Sequence, residues 1–163
     1  LSEYSVEKTC LIASTVANKE VLRLWELLGY KMLLFNASDK DEFRKEICNI
    51  NNFPTLQVNG TVGYSAIAIA IYLGFKEIEI YGLDLCYLNG YKYAFSPLRL
   101  EDANRQLIAT ENLRKELVLT DSVMSRTKDG ILDLIKTNPD VTFKVYGGGI
   151  LYCESLGNLK NEV

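Results

Sequence analysis

Histidine is absent from all 163 residues. That removes every mechanism needing an imidazole base or ligand, Ser-His-Asp and His-Glu-x-x-His chemistry among them. The four cysteines, Cys10, Cys48, Cys86 and Cys153, contain no CxxC pair, and without histidine partners they do not read as a zinc site. Their apolar settings, such as Cys10-Leu11-Ile12-Ala13-Ser14 around the first, suit small buried thiols of a reducing compartment. Excess positive charge is also missing: 18 Lys and Arg stand against 21 Asp and Glu, for a net charge of −3. No basic run is available to neutralise successive phosphates, so nucleic acid is not an expected partner. Long apolar runs are lacking too. The strongest, Ala66 to Phe75, falls well short of the roughly 18–20 residues of a membrane span. No basic segment followed by an apolar stretch marks a signal peptide, and a cytoplasmic location is expected. Proline and glycine are sparse, at 3 and 11 residues, while 48% of the chain is hydrophobic. This balance belongs to a folded protein with a real core rather than to a disordered or collagen-like chain. The length suits a single domain spanning residues 1–163.

The pattern that remains alternates strands with helices. Thr9 to Ser14 is an almost continuous apolar run, expected to be a strand buried on both faces. Asn18 caps a helix whose apolar face is Val21, Leu22, Leu24, Trp25, Leu27 and Leu28, and Gly29 closes it. Lys31 to Phe35 is a second strand. Ser38 or Asp39 starts a helix to about Asn49, and a loop then ends in a short strand near Thr55. A tight glycine turn opens a helix from about Val62 to Leu73, which is stopped at Gly74 and expected to be largely buried because it has no polar face. Lys76 to Gly82 reads as a strand ending at Asp84, Leu98 to Ala109 as a helix, and Glu116 to Leu119 as a short strand. Thr120 or Asp121 caps a helix to Lys136 that Asn138 and Pro139 terminate. Val141 to Tyr146 is the last strand, ahead of Gly147-Gly148-Gly149. Such alternation predicts an α/β, Rossmann-like fold: one mainly parallel sheet containing strands 9–14, 31–35, 77–82 and 141–146, with helices on both faces.

Several residues carry chemical potential. Asn59-Gly60-Thr61-Val62-Gly63 lies where a loop opens a helix, and amide groups of a first helical turn can hold a phosphate or carboxylate. A turn plus a closely packed helix is the alternative reading. Asp84 follows its strand directly, at the carboxyl edge where open α/β sheets take their ligands, with capping of the next loop as its bland role. Tyr87, Tyr91 and Tyr93 share one loop, where phenolic hydroxyls could donate to a phosphate or the rings could form a lid. Asp39-Lys40-Asp41 has the form of a metal-holding DxD, but acids at a helix start also favour the dipole; no metal ligand set and no cofactor are expected. The triple glycine suits either an anion-facing nest or a turn. Asn36-Ala37-Ser38 and Asn59-Gly60-Thr61 are formal glycosylation sequons.

The run Asn59 to Leu85, NGTVGYSAIAIAIYLGFKEIEIYGLDL, resembles the DUF115 family. That is the domain of motility accessory factor (Maf) proteins implicated in flagellin glycosylation and of a methanogen-type 6-hydroxymethylpterin diphosphokinase. The resemblance extends from about residue 9 to 155. A further resemblance, to Campylobacter-type CMP-sialic acid transferases, rests on Thr61-Val62-Gly63, Leu73-Gly74-Phe75-Lys76-Glu77-Ile78, Asp84, Asn89-Gly90 and Tyr93-Ala94-Phe95. Together they imply a transferase moving a sialic- or pseudaminic-type nonulosonic acid from CMP to a hydroxyl of flagellin or another protein. Turn 61–63 would face the donor sugar, and Tyr93 and Tyr87 the leaving phosphate. The set of binding residues so implied is Asn59, Gly60, Thr61, Val62, Gly63, Asp84, Tyr87 and Tyr93, with no catalytic base assigned. Val62 stands where the transferase turn has serine, and the transferase's histidine has no counterpart. The glycine-rich turn that opens these folds is expected to precede Leu1, making the chain the carboxyl-terminal part of a larger domain. A pterin diphosphokinase-like enzyme and a noncatalytic binding module are the alternatives.

Overall fold

The structure, a computed structural model, describes residues 8–38, 53–59, 61–87, 106–112 and 115–151. The chain divides into two compact units, Leu1–Val58 and Asn59–Val163.

In the first unit three strands, β1 (Cys10–Ser14), β2 (Lys31–Ser38) and β3 (Thr55–Gln57), pair in parallel in the order β1-β2-β3. Parallel neighbours need a crossover, and α1 (Lys19–Leu27) supplies it between β1 and β2. Asn18 starts this helix as expected, its side chain accepting the Glu20 N–H at 2.9 Å. Gly29, at φ 72, ends it. Tyr30 then folds back so that its ring lies 4.7 Å from that of Trp25. The expectation that strand 9–14 is buried on both faces is not met: Cys10 is exposed, Ile12 is 39% exposed, and only Ala13 is buried. No residue of α1 is fully buried either. A small unit of short strands encloses little surface. Among its described residues the best-buried polar group is Asn36, which accepts from Thr15 Oγ1 at 3.1 Å and donates to the Phe53 carbonyl at 3.2 Å. This sequon asparagine is thus part of the interior.

The second unit holds the main core. Helix α2 (Val62–Tyr72) leads to β4 (Glu77–Tyr81); β5 (Leu107–Glu111) and β6 (Leu117–Asp121) follow, then α3 (Ser122–Thr137) and β7 (Thr142–Tyr146). Strands β4 and β7 pair in parallel, Glu77 opposite Thr142 through Tyr81 opposite Tyr146. Their period-two alternation turns Ile78, Ile80, Phe143 and Val145 inward. Tyr64, Ile67 and Ala68 of α2 and Met124 and Ile131 of α3 belong to the same core. Asp121 caps α3 by accepting the Val123 and Met124 N–H groups at 2.9 Å each, and the helix stops at Asn138, beside Pro139, as the sequence indicates.

Three expectations need correction. Residues 107–111 form a strand, antiparallel to β6, where a helix to Ala109 was anticipated; cross-strand pairing with Leu117–Asp121 overrides the local helical propensity of Leu107 and Ala109. Helix α2 is half-buried rather than enclosed. Val62, Ala66, Tyr72 and Leu73 are exposed, because the core fully buries only Tyr64, Ile67 and Ala68 of this helix, with Ala70 and Ile71 packed partly against it. Finally, the four strands expected in one sheet form two separate parallel ladders among the described residues, β1-β2-β3 and β4-β7. The fold class stands: the chain is α/β with parallel strands, of Rossmann-like type. Among the described residues no helix is long and apolar enough to cross a membrane. Ser38, one of the two expected starts of the next helix, ends β2 instead; the rest of that helix, 39–49, and residues Gly60, Tyr91, Tyr93, Cys48, Cys153, Asp39 and Asp41 lie outside the described residues.

Candidate functional site

Because β4 and β7 are parallel and in register, their carboxyl ends lie side by side, and the loops that leave them meet. After β4 the chain turns at Gly82 (φ 67), passes Leu83 and Asp84, and reaches Leu85 in the left-handed region (φ 52). After β7 it enters the triple glycine. The Ile150 N–H donates to the Asp84 carbonyl at 2.9 Å, closing one loop onto the other. The contact is so close that a Cβ on Gly149 would fall on the backbone of Asp84. A Cβ on Gly147 would stand 2.7 Å from the Asp84 carboxylate. The triple glycine is closely packed, and the group it packs against is Asp84.

The amino end of α2 joins the same edge. Thr61 caps the helix, its hydroxyl accepting the Tyr64 N–H at 3.2 Å, while the first-turn amides of Val62 and Gly63 have no acceptor within the helix. Gly63 lies against Leu83, where a Cβ would come within 2.7 Å of a leucine methyl. Turn 61–63 and loop 82–85 are therefore neighbours. Asn59 fixes the approach: its side-chain amide donates to the Arg126 carbonyl at 3.0 Å, and its own carbonyl accepts from Thr127 Oγ1 at 3.0 Å. Both bonds tie it to α3.

Tyr87 has a different setting. It is buried, and its hydroxyl donates to the Asp121 carboxylate at 3.3 Å. Its backbone N–H donates to the Leu119 carbonyl at 2.8 Å, and Thr120 Oγ1 donates to the Leu85 carbonyl at 2.8 Å. Segment 85–87 is thus laid along β6, with the phenol turned into the core. Cys86 beside it is 3% exposed. Burial, and then the Asp84 carboxylate, push its thiol up to about 11, with the Ile150 N–H acting in the opposite direction. It is a neutral thiol at ordinary pH. Cys10, in contrast, is exposed, which corrects the expectation of a buried thiol there.

Of the residues singled out in the sequence, Asn59, Thr61, Val62, Gly63 and Asp84 come together at this edge. Tyr87 supports it from within, and Gly60 and Tyr93 lie outside the described residues. The sequence reading missed Tyr81 and Tyr146. They end β4 and β7 directly opposite each other, with rings stacked at 4.4 Å and an interplanar angle of 5°. Glu79 accepts from the Tyr81 hydroxyl at 2.8 Å and pairs with Lys144 at 3.2 Å. These bonds hold the Glu79 carboxyl below its ordinary range, and the Glu79 bond raises the Tyr81 phenol to about 12. The available signal was that two strands of the β-type pattern, EIEIY and TFKVY, each end in Tyr-Gly.

The edge thus offers amide donors at a helix start, one half-buried carboxylate and a pair of stacked phenols. Among the described residues no group of three His, Cys, Asp or Glu side chains is arranged to hold a metal ion. The model of a family described as "6-hydroxymethylpterin diphosphokinase MptE-like" matches residues 1–90, which takes in every element from β1 to β4 and the site residues from Asn59 to Tyr87. No curated protein and no solved structure matches the chain. The resemblance to DUF115 proteins is met at the level of this family, and nothing in the comparisons is specific to its Maf or sialyltransferase-like relatives. A match over more than half of the sequence settles the family: this chain belongs to the MptE-like family.

Proposed function

We propose that the chain is a transferase domain whose donor is a phosphate-linked molecule bound at the carboxyl edge of β4. In this reading the group transferred is a nonulosonic acid, carried by CMP and delivered to a protein hydroxyl. The observation that carries it is the meeting of turn 61–63, loop 82–85 and the triple glycine at one edge. Amide donors at the start of α2 would face the negative charge of the donor, and preorganised donors of this kind stabilise charge that develops as a leaving group departs. Asp84 would accept from a sugar or ribose hydroxyl. Tyr93 keeps the role that its resemblance implies, donation to the leaving phosphate. Tyr87, whose hydroxyl is engaged by Asp121, would serve by holding loop 82–87 in place.

A second reading is favoured by the family description itself: transfer of a diphosphate from ATP to a hydroxymethylpterin. In that chemistry a magnesium ion would neutralise charge on the phosphates. The described residues place Asp84 at the edge without the further carboxylates of a metal site. Calorimetry on the full-length protein separates the two. Binding of CMP and CMP-sugars without ATP supports sugar transfer; binding of ATP with magnesium and of 6-hydroxymethylpterin without CMP reverses the order. Binding of none of them at millimolar concentration ends both.

A further inference from the structure

The Tyr81–Tyr146 pair is unusual in its placement. Both rings stand on the outer face of the β4–β7 ladder, at its carboxyl end, and both are exposed, Tyr81 at 67% and Tyr146 at 37%. Aromatic pairs contribute most to stability when they bury their area; this one leaves a broad flat surface in solvent. The surface is also rigid. Tyr146 backs the ring of Tyr81 on one side, the Tyr81 hydroxyl is anchored on Glu79, and Glu79 is itself paired with Lys144 across the strands. A side chain held in one rotamer before binding loses little entropy when a ligand stacks on it.

The position of the pair links it to the donor edge. Gly147 follows Tyr146 directly and lies against the Asp84 carboxylate, while only Gly82 and Leu83 separate Tyr81 from Asp84 itself. The two tyrosines therefore end the strands from which the two loops that meet at Asp84 depart. Glu79 and Lys144 add an acceptor and a donor on the same face.

We infer that the Tyr81–Tyr146 stack is a platform for a planar heteroaromatic ring, the nucleobase of a nucleotide donor or a pterin, bound at the same edge as the phosphates. The inference rests on the transferase reading above and specifies which part of the substrate the outer face receives. A nucleobase and a pterin share the required chemistry, a flat polarisable face with hydrogen-bonding edges, and the experiment distinguishes them.

The test is equilibrium binding to the full-length protein and its Tyr81→Leu, Tyr81→Phe and Tyr146→Leu variants, with melting temperature measured alongside. The probes are CMP, ATP, 6-hydroxymethylpterin and inorganic tripolyphosphate. Stacking of a base on an aromatic side chain is worth enough that its loss should weaken binding roughly 5- to 100-fold. Tyr81→Leu should show that loss for whichever ring-bearing probe the wild type binds, Tyr81→Phe should stay within about 2-fold because the ring remains, and tripolyphosphate should bind all variants alike. A loss seen with CMP or ATP identifies a nucleobase, and one seen with 6-hydroxymethylpterin a pterin. If Tyr81→Leu and Tyr146→Leu bind the ring-bearing probes as tightly as the wild type, or if the wild type binds tripolyphosphate and no ring-bearing probe, the platform is refuted while the transferase reading stands. If the wild type binds none of the four, the transferase reading fails and the platform with it.

Discussion

Replacing Gly149 by alanine tests the joint between the two loops on which the site depends. The added Cβ would overlap the Cα, carbonyl carbon and carbonyl oxygen of Asp84. Backbone cannot rotate away as the end of a side chain can, so the loops must part. Forcing an extra carbon into a packed position costs about 1–3 kcal/mol, and loss of the Ile150-to-Asp84 hydrogen bond adds about 1 kcal/mol. The expected destabilisation is about 2–4 kcal/mol in all. Gly74→Ala is the matched control: at φ +89, with nothing within 4 Å of a new Cβ, it incurs only left-handed backbone strain of about 1–2 kcal/mol. Urea unfolding followed by far-UV circular dichroism reports both, since the single tryptophan, Trp25, lies in the other unit. Gly149→Ala should also weaken donor binding, because the loop it displaces carries Asp84. A Gly149→Ala protein as stable as Gly74→Ala would refute the close packing of the two loops.

Asp121→Ala removes the cap of α3 and the acceptor of the buried Tyr87 hydroxyl. It should cost about 2–4 kcal/mol, and Asp121→Asn, which keeps an oxygen for the cap, clearly less; equal urea midpoints for the two variants would contradict this. Tyr87→Phe should lower stability by about 1 kcal/mol, whereas a variant that lost transfer activity without any loss of stability would return Tyr87 to the donor role. Iodoacetamide at pH 8, followed by peptide mass spectrometry, should label the exposed Cys10 well before Cys86; comparable rates would show that Cys86 is accessible. The raised Cys86 value also sets a direction in alkali. The unfolded thiol ionises near 9 and the folded one near 11, so the unfolded state holds fewer protons in that window and stability should fall as pH rises through it. A Cys86→Ala protein should show a smaller decline from this source.

Local signals were the legible ones. Asn18 before an apolar helical face, Asp121 before another and Asn138-Pro139 after it all mark helix ends that depend on a few neighbouring residues, and the structure keeps each of them. That Asp84 and turn 61–63 lie close together at one edge follows from a strand end and a helix start, both of which are recognisable in sequence. What stayed hidden depends on partners distant in the chain. Leu107–Glu111 becomes a strand only because Leu117–Asp121 pairs with it. Apart from Ser65 and two tyrosine hydroxyls helix α2 is apolar, too little polarity to mark an outer face, so what the core takes decides its exposure. The stack of Tyr81 on Tyr146 requires the register of two strands separated by α3 and the β5–β6 hairpin. The bonds from Asn59 to Arg126 and Thr127 likewise join a loop to a distant helix.

Hydrogen–deuterium exchange of the full-length protein, with and without saturating CMP and, separately, ATP with magnesium, tests the location of the donor site most directly. One of these ligands should slow exchange at the start of α2 around residues 61–65, in loop 82–87 and in segment 147–150, leaving the rest of the second unit little changed. Protection confined to other segments, or exchange unaltered by either ligand at millimolar concentration, would contradict a donor site at the carboxyl edge of β4 and β7.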